Sequence, residues 1–147
     1  MNITTPKSRT WLTLGAALGL AVAASSYYPS IAAAGDVKVT LAGDQEVPSV
    51  KSAGTGTGTI TVGDDKSVKG SVTTKGIAGT AAHIHEAPAG KNGPAIIPLD
   101  KDGDTYKVPA NAKLTDAQFA SFKSGNLYVN VHTAAHPDGE LRGQLKP

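Results

Sequence analysis

The chain's four histidines fall in two places: His83 and His85 within His83-Ile84-His85-Glu86, and His132 and His136 near the C-terminus. In an extended strand successive side chains point to opposite faces, so His83 and His85 share one face, about 7 Å apart along it. Two imidazoles at that spacing form a two-point grip for a metal ion. The second place follows the same rule: Leu127, Val129 and Val131 alternate with Tyr128, Asn130 and His132. Ala82 and Ile84 alternate likewise with the first two histidines. In both segments the apolar face is expected to enter a core, and the histidine face to look elsewhere.

The chain has no cysteine, which excludes thiolate-ligated metals and thiol redox chemistry. Any metal must therefore be held by nitrogen and oxygen. An all-histidine site suits copper(II), zinc or nickel, and copper binds most tightly to a given nitrogen set. His83, His85 and His132 would be presented from strands, and His136 from a loop able to close over them; these four are the candidate ligands. Each also has an ordinary reading. His83 and His85 suit the solvated face of an edge strand, His132 a cross-strand hydrogen bond with Tyr128 or Glu140, and His136 a plain loop position. Glu86 points to the face opposite His85 and reads as a surface carboxylate. Arg142 reads either as a cation drawing anions toward a metal or as a partner for Glu140 or Asp138.

Other catalytic constellations are absent from the sequence. No nucleophile elbow, dinucleotide fingerprint or phosphate loop occurs. A histidine-held zinc hydroxide with Glu86 as base is the hydrolytic alternative, without a specific motif behind it.

The elements that must position these residues follow from patterning. Lys7 and Arg9 precede an apolar run from Trp11 to about Ala24, and Ala32-Ala33-Ala34 offers small residues for cleavage. Residues 1–34 therefore read as a secretory signal peptide, with an uncleaved anchor as the alternative, leaving one domain over 35–147. The expected location is the periplasm or the exterior. Of the 14 Lys and Arg, only Lys7 and Arg9 lie in the leader, so the remaining 12 balance 12 Asp and Glu. A neutral domain without a basic cluster is a poor partner for nucleic acid, or for a membrane once the leader is gone.

Within the domain, Val37, Val39 and Leu41 alternate with polar residues, and threonine recurs at every second position from Thr55 to Thr61. Gly63-Asp64-Asp65-Lys66 predicts a hairpin turn joining that threonine strand to Ser67–Thr74. Ala95–Leu99 and Tyr106–Val108 read as further short strands, with Asp100–Asp104 as a turn. One helix is predicted near 115–124: Thr115 and Gln118 form a capping box, Phe119 and Phe122 share a face, and Gly125 suits the C-terminal cap. About eight strands with one short helix predict an all-β fold, an antiparallel Greek-key-like sandwich or flattened barrel.

Taken in order, these segments resemble the CHRD (chordin-type) domain from about Val37 to Leu145. The carriers are Leu41–Pro48, the Gly/Thr strand, His83-Ile84-His85-Glu86 with Gly90, Gly93-Pro94 and Leu99, the Phe119/Phe122 helix, Leu127–Thr133, and Gly139-Glu140-Leu141-Arg142-Gly143-Gln144. His83-Ile84-His85-Glu86 is also similar to the His-Val-His-Glu strand of copper/zinc superoxide dismutases, whose two histidines bind copper. The resemblance implies copper at His83 and His85, His132 as the third ligand, and an anion-guiding, catalytic role for Arg142. The longer zinc loop and the disulfide of those enzymes are missing, so it implies a copper-only site. The expectation is an exported copper protein that dismutates superoxide. Copper storage or delivery without turnover, and a structural or protein-binding module without metal, remain open. Oligomeric state is not legible.

Overall fold

The computed structural model describes residues 35–147. The expected signal peptide over 1–34 lies outside the described residues. Nine strands and one helix follow in order: β1 Asp36–Leu41, β2 Thr55–Val62, β3 Val68–Lys75, β4 Gly79–Glu86, β5 Ala95–Pro98, β6 Asp100–Asp102, β7 Thr105–Lys107, α1 Asp116–Lys123, β8 Leu127–Thr133 and β9 Leu141–Leu145. They form two antiparallel sheets, one of five strands in the order β1-β2-β3-β7-β6 and one of four in the order β5-β4-β8-β9. This is a sandwich, as expected, and neither sheet closes into a barrel.

The core between the sheets is built by the predicted alternation. Val37, Val39, Leu41, Ile60, Val62 and Val72 face inward from the first sheet, and Ala82, Ile84, Val129, Val131, Leu141 and Leu145 from the second. The hairpin expected at Gly63–Lys66 joins β2 to β3, with Val62 opposite Val68. The helix forms with both halves of its capping box, Gln118 N to Thr115 Oγ1 at 3.2 Å and Thr115 N to Gln118 Oε1 at 2.9 Å. Those bonds satisfy donors that a helix start leaves free. Phe122 is wholly buried, which holds this short helix against the sandwich.

One element differs from expectation. Asp100–Asp102 is a strand rather than part of a turn, pairing with β7 so that Asp102 faces Thr105. Gly103 takes φ 61° at the hairpin tip, where glycine carries no side-chain penalty. All three β6 residues are exposed. A solvated edge strand has no apolar face to announce it.

The register of the four-stranded sheet brings the chemistry together. His83 pairs with Asn130 and His85 with Tyr128 across β4 and β8. Asn130 in turn faces Arg142, and Tyr128 faces Gln144, across β8 and β9. Directly opposed residues in an antiparallel pair point to the same side. His83, His85, His132, Tyr128, Asn130, Arg142 and Gln144 therefore share one face, opposite the core.

Candidate metal centre

Three histidines converge on that face. One nitrogen each from His83, His85 and His132 lies within 4.8 Å of the others, and all three residues are half-buried. His83 and His85 come from β4 by the expected two-residue spacing, and their rings stand 5.7 Å apart between centroids. His132 reaches them from the neighbouring strand, its ring centroid 5.0 Å from that of His83. His83 Nδ1 and His132 Nε2 are 3.0 Å apart. Nitrogens bound to one ion at about 2.0–2.1 Å, at angles between 90° and the tetrahedral value, are about 2.8–3.4 Å apart. The pair stands at that separation through a hydrogen bond between the two rings.

Carbonyl groups set the tautomer of two of the three rings. His85 Nδ1 lies 2.9 Å from the carbonyl of Gly93, and His132 Nδ1 lies 2.8 Å from that of Pro137. A carbonyl only accepts, so both Nδ1 atoms carry the proton, and in a neutral ring Nε2 keeps its lone pair. For His132 that lone pair faces His83. For His85, Nε2 is buried with no hydrogen-bond partner among the described residues. A buried acceptor left unsatisfied costs about 1–3 kcal/mol. An ion at this point would remove that cost.

The electrostatics favour neutral imidazoles. Burial pulls His83 below the ordinary imidazole value, and the adjacent His132 and His85 add to the effect. Burial also lowers His85; the Gly93 carbonyl opposes this, while His132 and Arg142 reinforce it. Metal ligation needs unprotonated nitrogen, so proton competition is weakened at both positions.

The face around the triad looks away from the core, as expected, but it is covered. Tyr128 is 2% exposed, Asn130 3% and Arg142 1%. Alternation assigns residues to a face, but it does not reveal which loops fold over that face. Here the segment 87–94 between β4 and β5 crosses it. Arg142 Nη1 donates to the Lys91 carbonyl at 2.9 Å and to Asn92 Oδ1 at 3.3 Å. Its Nη2 donates to the Pro88 carbonyl and to Gln144 Oε1, each at 3.2 Å. Neither carboxylate expected as a partner, Glu140 or Asp138, bonds to it. Glu140 instead accepts from Ser52 Oγ at 2.7 Å and Thr133 Oγ1 at 2.6 Å. Those two bonds hold its carboxyl below the usual range.

The remaining candidates are set apart from the triad. His136 does not join the three converging nitrogens. It sits in the turn after β8, where its backbone N–H and C=O both bond to the backbone of Thr133, and it lines a surface cavity of about 240 Å³ with Glu46, Val47, Pro48 and Asp138. Glu86 is half-buried on the opposite face and accepts from Ser121 Oγ of α1 at 2.6 Å, so it is an anchor for the helix. Sequence reasoning gave no role at the site to Gly93, Gln144 or Glu46, although all three lie in the segments that carry the CHRD resemblance.

A family model described as the CHRD domain matches residues 37–145, nearly all of the described chain. No curated protein and no solved structure matches it.

Proposed function

This chain belongs to the CHRD-domain family, and from that premise we propose that it binds one copper ion through His83, His85 and His132 and dismutates superoxide there. The observation that carries the reading is the convergence of one nitrogen from each of three imidazoles within 4.8 Å, together with a His85 Nε2 that is buried and unpartnered among the described residues. Copper suits three nitrogens without thiolate, and it would supply one-electron redox chemistry. His83 and His132 hold their facing nitrogens at ligand separation, and His85 brings a nitrogen that carbonyl contact has already oriented. All three histidines keep part of their surface in contact with solvent, although His85 Nε2 itself is buried. Read with the leader-like residues 1–34, the reaction belongs in the periplasm or outside the cell. Among the described residues no helix is long and apolar enough to cross a membrane.

Copper storage or delivery is a second reading, and Arg142 favours it. A guanidinium that is 1% exposed, with both terminal nitrogens bonded to four acceptors, is turned toward the protein rather than toward an incoming anion. Its charge still contributes a fixed positive field beside His85. Pulse-radiolysis decay of superoxide with copper-loaded protein separates the two readings. Decay that scales with protein, and is lost in the His83→Ala/His85→Ala variant, supports dismutation. Tight copper binding without accelerated decay identifies a carrier. Absence of specific binding leaves a protein-binding module.

A further inference from the structure

Arg142 touches none of the three histidines by hydrogen bond, yet two chains of contact lead from it to His85. The first runs through backbone. Three of its four acceptors, Pro88 O, Lys91 O and Asn92 Oδ1, belong to the strap 87–94. Gln144 adds a bond from Nε2 to Ala87 O at 2.9 Å. Near the strap's end lies Gly93, whose carbonyl meets His85 Nδ1 at 2.9 Å and whose N–H donates to Tyr128 Oη at 3.2 Å. The second chain runs through Tyr128. The guanidinium carbon lies 3.5 Å over the tyrosine ring centroid, and the His85 ring stacks on the same tyrosine at 4.9 Å with planes 14° apart. Two groups that close cannot share one face, so the phenol is held between the cation and the imidazole.

A buried cation is costly unless its hydrogen bonds are made. No carboxylate lies within ion-pair distance of Arg142 among the described residues. Its planar, forked donors instead span two carbonyls and two amide oxygens, a task the single ammonium of lysine cannot perform.

We propose that Arg142 is a positioning residue: by clamping the 87–94 strap it holds the Gly93 carbonyl on His85 Nδ1, fixes the Nδ1–H tautomer, and leaves the Nε2 lone pair aimed at the metal position. The consequence for copper rests on the metal reading above; the tautomer itself does not. Partners of this kind outside the ligand set typically change metal affinity about ten- to hundredfold.

The test uses ¹⁵N-histidine NMR of the metal-free protein, alongside copper(II) affinity by chelator competition. In the wild type His85 is a single Nδ1–H tautomer. In Arg142→Met an Nε2–H population appears and copper binds about ten- to hundredfold more weakly, with Arg142→Lys intermediate. Should Arg142→Met fail to fold, Asn92→Ala takes its place. Asn92 is exposed, and removing it deletes one guanidinium acceptor and the strap's 2.6 Å bond to Val47 O. It should shift His85 in the same direction by less. A His85 spectrum unchanged in every folded variant, or an Nε2–H wild type, overturns the proposal. A tautomer that responds to Arg142 in a protein that binds no copper supports the clamp and refutes only the metal reading. Copper binding with an unresponsive tautomer does the reverse.

Discussion

Adding one methyl group at Gly93 should weaken the proposed metal site without altering any of its three histidines. A Cβ built there would lie 2.8 Å from the carbonyl carbon of Glu86 and 2.9 Å from Ala87 Cβ, with the Glu86 oxygen closer than either. Ordinary contact begins near 3.4 Å, so clearing the carbon atoms alone requires about 0.6 Å and clearing the oxygen more than about 1 Å. The obstacle is backbone within β4 and just after it, so the strap must move. A shift of about 1 Å takes the 2.9 Å contact from His85 Nδ1 to Gly93 O beyond hydrogen-bonding distance, and breaks the bond from Gly93 N to Tyr128 Oη as well. Overpacking and two lost hydrogen bonds together predict about 2–4 kcal/mol of destabilisation. Loss of the group that orients His85 predicts copper affinity lower by about ten- to hundredfold. Gly90→Ala is the control: nothing lies within 4 Å of its added methyl, and only its φ of 78° penalises alanine, by about 1 kcal/mol. Urea denaturation of the metal-free proteins and copper competition titrations supply both numbers. If Gly93→Ala matches the Gly90 control in stability and the wild type in affinity, the strap is not seated on His85 and the reasoning fails.

Three further outcomes follow from the same contacts. His136→Ala should leave copper affinity within about threefold of wild type, because its ring lies outside the converging triad; a loss comparable to that of His132→Ala would place it among the ligands. Glu46 is buried and accepts from Asn130 Nδ2 at 2.7 Å; burial raises its carboxyl above the usual range, with Arg142 opposing. The folded state therefore binds its proton more tightly than the unfolded state, and that stabilisation is lost as pH rises through the raised value. Glu46→Gln keeps the acceptor and cannot ionise, so its stability relative to wild type should improve as pH rises from about 4 to 7; movement the other way would show that Arg142's charge outweighs burial. Phe122→Ala should cost about 3–5 kcal/mol, read from the urea midpoint at unchanged slope, because this ring is wholly buried between α1 and the sandwich; a cost under about 1 kcal/mol would show that the helix is not anchored there.

What could be read from the sequence was whatever depends on local period. Strand alternation placed His83 and His85 on one face and Ile84 in the core, and the same rule oriented β8 and β9 once they paired. The capping box at Thr115 and Gln118 located the helix to within a residue, because both partners lie within one turn. What could not be read depends on coverage and on distant backbone. Arg142, Tyr128 and Asn130 alternate like surface residues, and only the folded strap shows them buried. The carbonyls of Gly93 and Pro137, which orient two of the three imidazoles, carry no residue-type signal. β6 escaped because three exposed charged residues at an edge look the same as a turn. His136 lies four residues beyond His132, close in sequence, but the turn that carries it bonds back on Thr133, and the residue lines a surface cavity away from the triad.

The copper(II) EPR spectrum of metal-free protein with one equivalent of copper is the decisive measurement for the proposed three-nitrogen site. A single nitrogen-rich species is expected in wild type, retained in His136→Ala and lost in His83→Ala, His85→Ala and His132→Ala. A spectrum of free copper in the wild type, or one indifferent to those three histidines, would contradict it.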